Sequence, residues 1–111
     1  MKITSLDNIA EEGVSHNPEI RKQVLLKRGD VPHLMNFTRS CLAAGQTARA
    51  HRHGDMCEIF FVESGSGTIK VDGQAHQLCA GTCVTIEPGE EHEIFNQDST
   101  DLVLIYFGIQ V

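Results

Sequence analysis

The stretch GQTARAHRHGDMCEIFFVESG, residues 45–65, decides how the rest of the chain is read. His51 and His53 stand two residues apart, and in an extended segment residues i and i+2 project to one face. Gly54-Asp55 follows as a short turn. The next residues, CEIFFVE at 57–63, are rich in β-branched and aromatic side chains and read as a strand. A hairpin-like connection at Gly54-Asp55 can bring the carboxylate of Glu58 back beside the two imidazoles. If Glu58 points inward, alternation sends Phe60 and Val62 inward with it and turns Ile59 and Phe61 to the other side.

A second stretch, GTCVTIEPGEEHEIFN at residues 81–96, places His92 just past Pro88-Gly89, at the mouth of a strand over 93–96. Three imidazoles and one carboxylate can then converge, with Ile94 and Asn96 on the same face as His92. Burying such a set without a cation leaves many polar groups to satisfy, so the pattern points to a metal ion. Imidazole suits Fe, Ni, Zn and Cu, and the carboxylate admits Mn.

Outward from these two stretches the chain reads as short strands between turn residues. Strands are expected over residues 21–27, 33–43, 68–71, 74–79, 83–87 and 102–109. Asp72-Gly73 is the strongest hairpin signal. Asn17-Pro18 reads as a turn. Ser5 can cap a short helical turn over residues 6–12 that Gly13 closes. Strands at spacings of roughly 8–12 residues indicate an all-β sandwich or barrel, and 111 residues fit a single domain. Within it, residues 1–32 are expected to form an N-terminal segment with edge strands and residues 33–111 the barrel.

Both stretches resemble the conserved motifs of the cupin superfamily. The first matches G-x5-H-x-H-x4-E-x6-G at every defined position. The second matches G-x5-P-x-G-x2-H-x3-N, except that Glu87 stands where proline is usual. The short separation between them is that of small single-domain bacterial cupins. The resemblance implies a double-stranded β-helix, or jelly-roll barrel, holding one divalent ion (Fe, Mn, Ni, Zn or Cu) on His51, His53, Glu58 and His92. It implies a metal-dependent enzyme on a small organic molecule: an oxygenase, or an isomerase or lyase acting through a metal-bound enolate. The alternative is a non-catalytic module that binds a small molecule or senses metal. Four protein ligands on an octahedral ion leave two positions open, whereas a tetrahedral Zn using all four would be closed.

The pocket around the ion follows from alternation. Thr38, Ser40 and Leu42 share one face of the strand over 33–43. On the last strand either Leu102, Leu104 and Tyr106 or Val103, Ile105 and Phe107 line the barrel, and comparison with small cupins favours the first set. The pocket residues are then Thr38, Ser40, Phe60, Ile94 and Leu104, with Tyr106 as a candidate catalytic group whose hydroxyl can donate to a substrate oxygen. Few charged groups other than Glu58 are expected inside. His16, His33 and His76 lie outside both motifs and read as surface or hydrogen-bonded histidines. Arg52 should point away from the metal face. The cysteines, Cys41, Cys57, Cys79 and Cys83, form no C-x-x-C pair and read as free, readily buried thiols, with a local bridge across Gly81 as the alternative for Cys79 and Cys83.

Composition narrows the partners. Nine Lys+Arg against fifteen Asp+Glu give −6 with histidine neutral, the wrong sign for a nucleic-acid surface. No apolar run approaches the ~20 residues of a membrane-spanning helix, and MKITSLDNIAEEG lacks a signal peptide's apolar segment. A cytoplasmic protein is therefore expected. The last strand, LVLIYFGI, is apolar on both faces, which predicts a homodimer covering the outer one.

Overall fold

The structure, a computed structural model, describes residues 1–111. Its strands in chain order are β1 (Glu12–Val14), β2 (Asn17–Lys27), β3 (Leu34–Leu42), β4 (Thr47–His51), β5 (Met56–Ser64), β6 (Ser66–Val71), β7 (Gln74–Cys79), β8 (Cys83–Ile86), β9 (His92–Phe95) and β10 (Leu102–Gln110). They form a six-stranded antiparallel sheet in the order β1-β2-β3-β10-β5-β8 and a four-stranded one in the order β4-β9-β6-β7. The fold is all-β, a jelly-roll barrel.

The core lies between the sheets and is set by period-two alternation. In β5, Met56, Glu58, Phe60 and Val62 are buried and the residues between them are not. In β9, His92 and Ile94 are buried, and Asn96 continues the same face beyond the strand. Leu42, Val62, Leu78, Leu102 and Leu104 are at most 2% exposed. Each is worth roughly 1.5–3 kcal/mol of burial. Asn96 ties the barrel end: its amide donates to the carbonyls of Leu42 and Thr100.

β10 runs between β3 and β5, which explains its composition. Leu102 and Leu104 face the core. Ile105 and Phe107 lie on the outer face, level with Phe61 and Ile59 of β5 and with Arg39 and Phe37 of β3. Asp72 and Gly73, both at positive φ, form the two-residue β6–β7 turn.

Three local expectations change. The helical turn is only a three-residue 3-10 turn, Leu6–Asn8, capped by Ser5. The Gln23 side chain takes up the carbonyls of Leu6 and Ile9, and the chain then turns into β1 instead of continuing a helix. Asn17-Pro18 is not a turn: the reversal falls at Ser15-His16, and Asn17 already pairs with Val14. The proline sits near the start of a strand, where its missing N–H is tolerated. The cysteines are all free, as expected, but Cys79 and Cys83 are exposed rather than buried, so Cys83 does not reach the interior.

Candidate metal centre

The four donors arrive from four places and meet. His51 ends β4 and sits directly across from His92, the first residue of β9. His53 lies in the loop after β4, and Glu58 points inward from β5. One ligand atom from each of the four lies within 4.8 Å of every other. Glu58 Oε1 is 3.1 Å from His92 Nε2 and 3.7 Å from His53 Nε2. His92 is 1% exposed and Glu58 6%.

Backbone hydrogen bonds fix this arrangement. The Gly89 amide donates to the His53 carbonyl at 2.8 Å, so the Pro88-Gly89 turn holds the loop carrying His53. That turn has proline at its second position and Gly89 at positive φ, the requirements of a type II turn. Glu87, standing where a proline is usual, leaves a free N–H, and the Glu90 carboxylate accepts it at 2.7 Å. The next residue is also pinned: the Glu91 amide donates to Asp72 Oδ1, and the Asp72 amide donates to the Glu91 carbonyl. Arg52 turns away from the cluster and pairs with Glu91 at 3.2 Å.

The imidazoles are oriented by their second nitrogens. His51 Nδ1 lies 2.8 Å from the Arg49 carbonyl and His92 Nδ1 3.2 Å from the Glu90 carbonyl. A carbonyl only accepts, so each Nδ1 carries the proton and each Nε2 is left for the ion, the usual outer arrangement of metal-binding histidine. Burial holds His51 neutral, lowering its pKa to about 4 against the pull of the Arg49 carbonyl, and neighbouring imidazoles add to the lowering. Burial works against charge at His92 too, but Glu58 and the Glu90 carbonyl outweigh it and raise that pKa. Three imidazoles and a carboxylate converging this closely form a donor set suited to a divalent cation.

A family model described as a cupin domain matches residues 38–108. The chain belongs to the cupin family. Among curated proteins this cupin is 32% identical over 66 residues to an oxalate-binding protein of Thermotoga maritima. The match takes in 60% of this chain and 54% of that one, so the chain spans about half the length of the relative it matches. Among solved structures, a predicted oxalate decarboxylase from Thermotoga maritima superposes with a TM-score of 0.91 at 23% identity, covering 99% of this chain and 100% of the other. A sugar phosphate isomerase of the cupin superfamily from Silicibacter pomeroyi gives 0.83 at 16% identity, covering 99% and 76%. These two likenesses speak for the fold.

The cupin's His/Glu cluster opens on a cavity of about 140 Å³. Ser40, Phe60, Ile94, Leu104 and Tyr106 line it, together with His51, His53 and Glu58. Thr38 does not. It is 2% exposed, lies between Val24 and Tyr106 in the sheet, and is not among the residues that line the cavity. Tyr106 packs its ring against Phe60, with centroids 5.2 Å apart. Burial pushes its phenol up to about 12, with the nearby Ser40 hydroxyl pulling the other way.

Two residues of this wall escaped the sequence reading. His16 is not a remote surface histidine. From the β1–β2 turn it stacks on His51, with ring centroids 3.5 Å apart and planes 15° from parallel. Burial, then the charge of His53, lowers its pKa. Lys22 of β2 also lines the cavity, so Glu58 is not the only formal charge there. Its direction was readable: Ile20, Lys22 and Val24 alternate together, and apolar Ile20 and Val24 mark the inner face. The contact of His16, by contrast, depends on where a turn lands and has no periodic signal.

Proposed function

We propose that this cupin holds one divalent transition-metal ion on His51, His53, Glu58 and His92 and acts on a small organic molecule in the adjoining cavity. The reaction class is an oxygenation, or an isomerisation or elimination that passes through an enolate. The observation that carries this reading is the convergence of four donors within 4.8 Å at a cavity lined largely by apolar side chains. An ion bound there would polarise a carbonyl, lower the pKa of a bound water or activate dioxygen. The chain's own part is to bind and orient. Phe60, Ile94 and Leu104 exclude water from one side of the ligand. Tyr106, protonated at every physiological pH, donates a hydrogen bond to a ligand oxygen as charge develops on it.

A second reading, a binding module without catalysis, is favoured by two observations. Tyr106 is too weak an acid to exchange its proton near neutrality, and the curated relative is called an oxalate-binding protein. Metal analysis of protein purified without an affinity tag, followed by dioxygen uptake with diketones and flavonols, separates the two. One redox-active ion per chain with substrate-dependent uptake is the expected result. A Zn ion without an exchangeable water would overturn the oxygenase reading.

The same proposal includes a second copy of the chain on the outer face of the six-stranded sheet. There Phe37, Ile59, Phe61, Ile105 and Phe107 form adjacent apolar rows, with Phe61 43% exposed. The Arg39–Glu63 ion pair, at 2.8 Å, borders them. A patch that carries both signs of charge can face its own copy across a two-fold axis. A monomer mass in sedimentation at micromolar concentration would overturn it.

A further inference from the structure

The cavity wall formed by β2 and β3 has a polarity that the metal cluster does not account for. Lys22 is the one lysine or arginine on it. The register fixes its direction, because Lys22 pairs with Ser40 and Val24 with Thr38, both inward-facing residues of β3. Its partner within the chain is a weak one: Glu12 Oε1 lies 3.8 Å away on a side chain 61% exposed, while Lys22 itself is only 23% exposed. A half-buried ammonium beside apolar Ile20 and Leu42 keeps much of its desolvation cost unless an anion meets it. Further along β3 on the same cavity wall, four residues from Ser40, Asn36 Oδ1 is buried with no hydrogen-bond partner. This stretch of wall is therefore short of both an anion and a hydrogen-bond donor.

The metal end has the same sign preference. A divalent ion on three neutral imidazoles and one carboxylate keeps a charge of about +1 (+2 from the ion, −1 from Glu58). With an ion bound, two positive centres would border one small cavity in a protein of net charge −6. A neutral ligand would leave Lys22 with only its long, exposed pairing to Glu12, and a cationic one would be repelled from both.

We propose that the ligand of this cavity is a small carboxylate, and that Lys22 is the residue that selects it. This inference rests on the small-molecule reading above and adds the ligand's charge and the group that reads it. The carboxylate meets the Lys22 ammonium, and a hydroxyl or bound water carried with the ligand donates to Asn36 Oδ1. Lys22 is a specificity residue: it discriminates by charge and does not touch the metal.

Calorimetric titration of the Mn(II)-loaded chain with oxalate, malonate, glycolate and pyruvate tests this. At least one is expected to bind at sub-millimolar concentration. Lys22→Met should weaken that binding about tenfold to a hundredfold, the range of a charge-assisted hydrogen bond. Lys22→Arg, which keeps the charge, should recover most of it. Lys70→Met, which removes an exposed lysine from the other sheet, should change it less than twofold. Mn(II) affinity measured separately should be the same in all four proteins. Binding by Lys22→Met within twofold of the parent overturns the inference, and so does binding of none of the four acids by a chain that does take up Mn(II). A chain that takes up no Mn(II) overturns the metal reading instead. Titration of the same acids into that metal-free chain then reads Lys22 alone, with loss of binding in Lys22→Met supporting the inference and no difference overturning it.

Discussion

The His/Glu cluster and the hairpin beside it border the same cavity but are built differently. The cluster is assembled by short-range devices: alternation along β5, the cross-strand pairing of His51 with His92, and a type II turn whose amide holds the His53 loop. The β1–β2 hairpin joins the cavity through one sheet edge and the stacking of His16 on His51. Within the cluster, His51 and His92 are held by backbone carbonyls and Glu58 meets the imidazoles of His92 and His53. The hairpin is a wall laid against it, carrying Lys22, whose partner within the chain, Glu12, is 3.8 Å away and exposed. On the proposed reading the difference divides the roles: the barrel would position an ion, and the hairpin would read what comes to it.

The largest effect should come from breaking the cluster alone. His53 is the ligand to remove, because it sits in a loop with its side chain 27% exposed, and its loss leaves the core intact. His53→Ala is expected to reduce metal content from one ion per chain to a small fraction by elemental analysis. Circular dichroism should remain that of the folded barrel. Stoichiometric metal in this variant would contradict the ligand assignment.

A smaller effect should follow from disturbing the hairpin alone. A Cβ on Gly13 would stand 2.7 Å from the Pro18 carbonyl oxygen and 2.9 Å from Pro18 Cα, backbone atoms that yield only if the hairpin opens. Gly13→Ala should cost about 1–3 kcal/mol in denaturant unfolding and weaken carboxylate binding by about tenfold. Metal content should stay at that of the parent. If metal is lost as well, the two regions are one unit and the division of roles fails.

The same division explains how much was legible in the sequence. Every residue of the cluster lies in a pattern with a physical period or a fixed turn chemistry, so His51, His53, Glu58 and His92 could be nominated from spacing and from resemblance to cupins. The faces of β5 and β9 and the Asp72-Gly73 hairpin followed from alternation and turn preference. The hairpin wall was less legible because its position depends on tertiary pairing. A reversal at Ser15-His16 instead of Asn17-Pro18 carries His16 over His51, and nothing local to residues 14–18 marks that destination. Thr38 failed for a related reason. Its parity is inward, but facing inward does not guarantee facing a void when a tyrosine and a valine flank it.

Tyr106 is where the two regions can be compared within one side chain, and it gives the smallest effect, one absent at neutral pH. Burial is the main reason its phenol is held up to about 12. Glu58 of the cluster and Glu12 of the hairpin strand both add to the rise, Glu58 more than Glu12. An unfolded chain releases the same proton near pH 10. Between about pH 10 and 12 the unfolded state therefore binds fewer protons than the folded one. Stability should fall as pH rises through that window, by at most ~1.4 kcal/mol per unit, and level off above it. The chain contains one tyrosine and no tryptophan, so tyrosinate absorbance reports this group without interference. The native metal-free protein should show no tyrosinate at pH 10, whereas the urea-unfolded chain should be about half ionised there. Glu58→Gln should lower the native midpoint more than Glu12→Gln, because the cluster's carboxylate exerts the larger field on the phenol. The reverse order would place the hydroxyl nearer the hairpin than the ion, and a native midpoint near 10 would put it in open water, away from any ligand oxygen in the cavity.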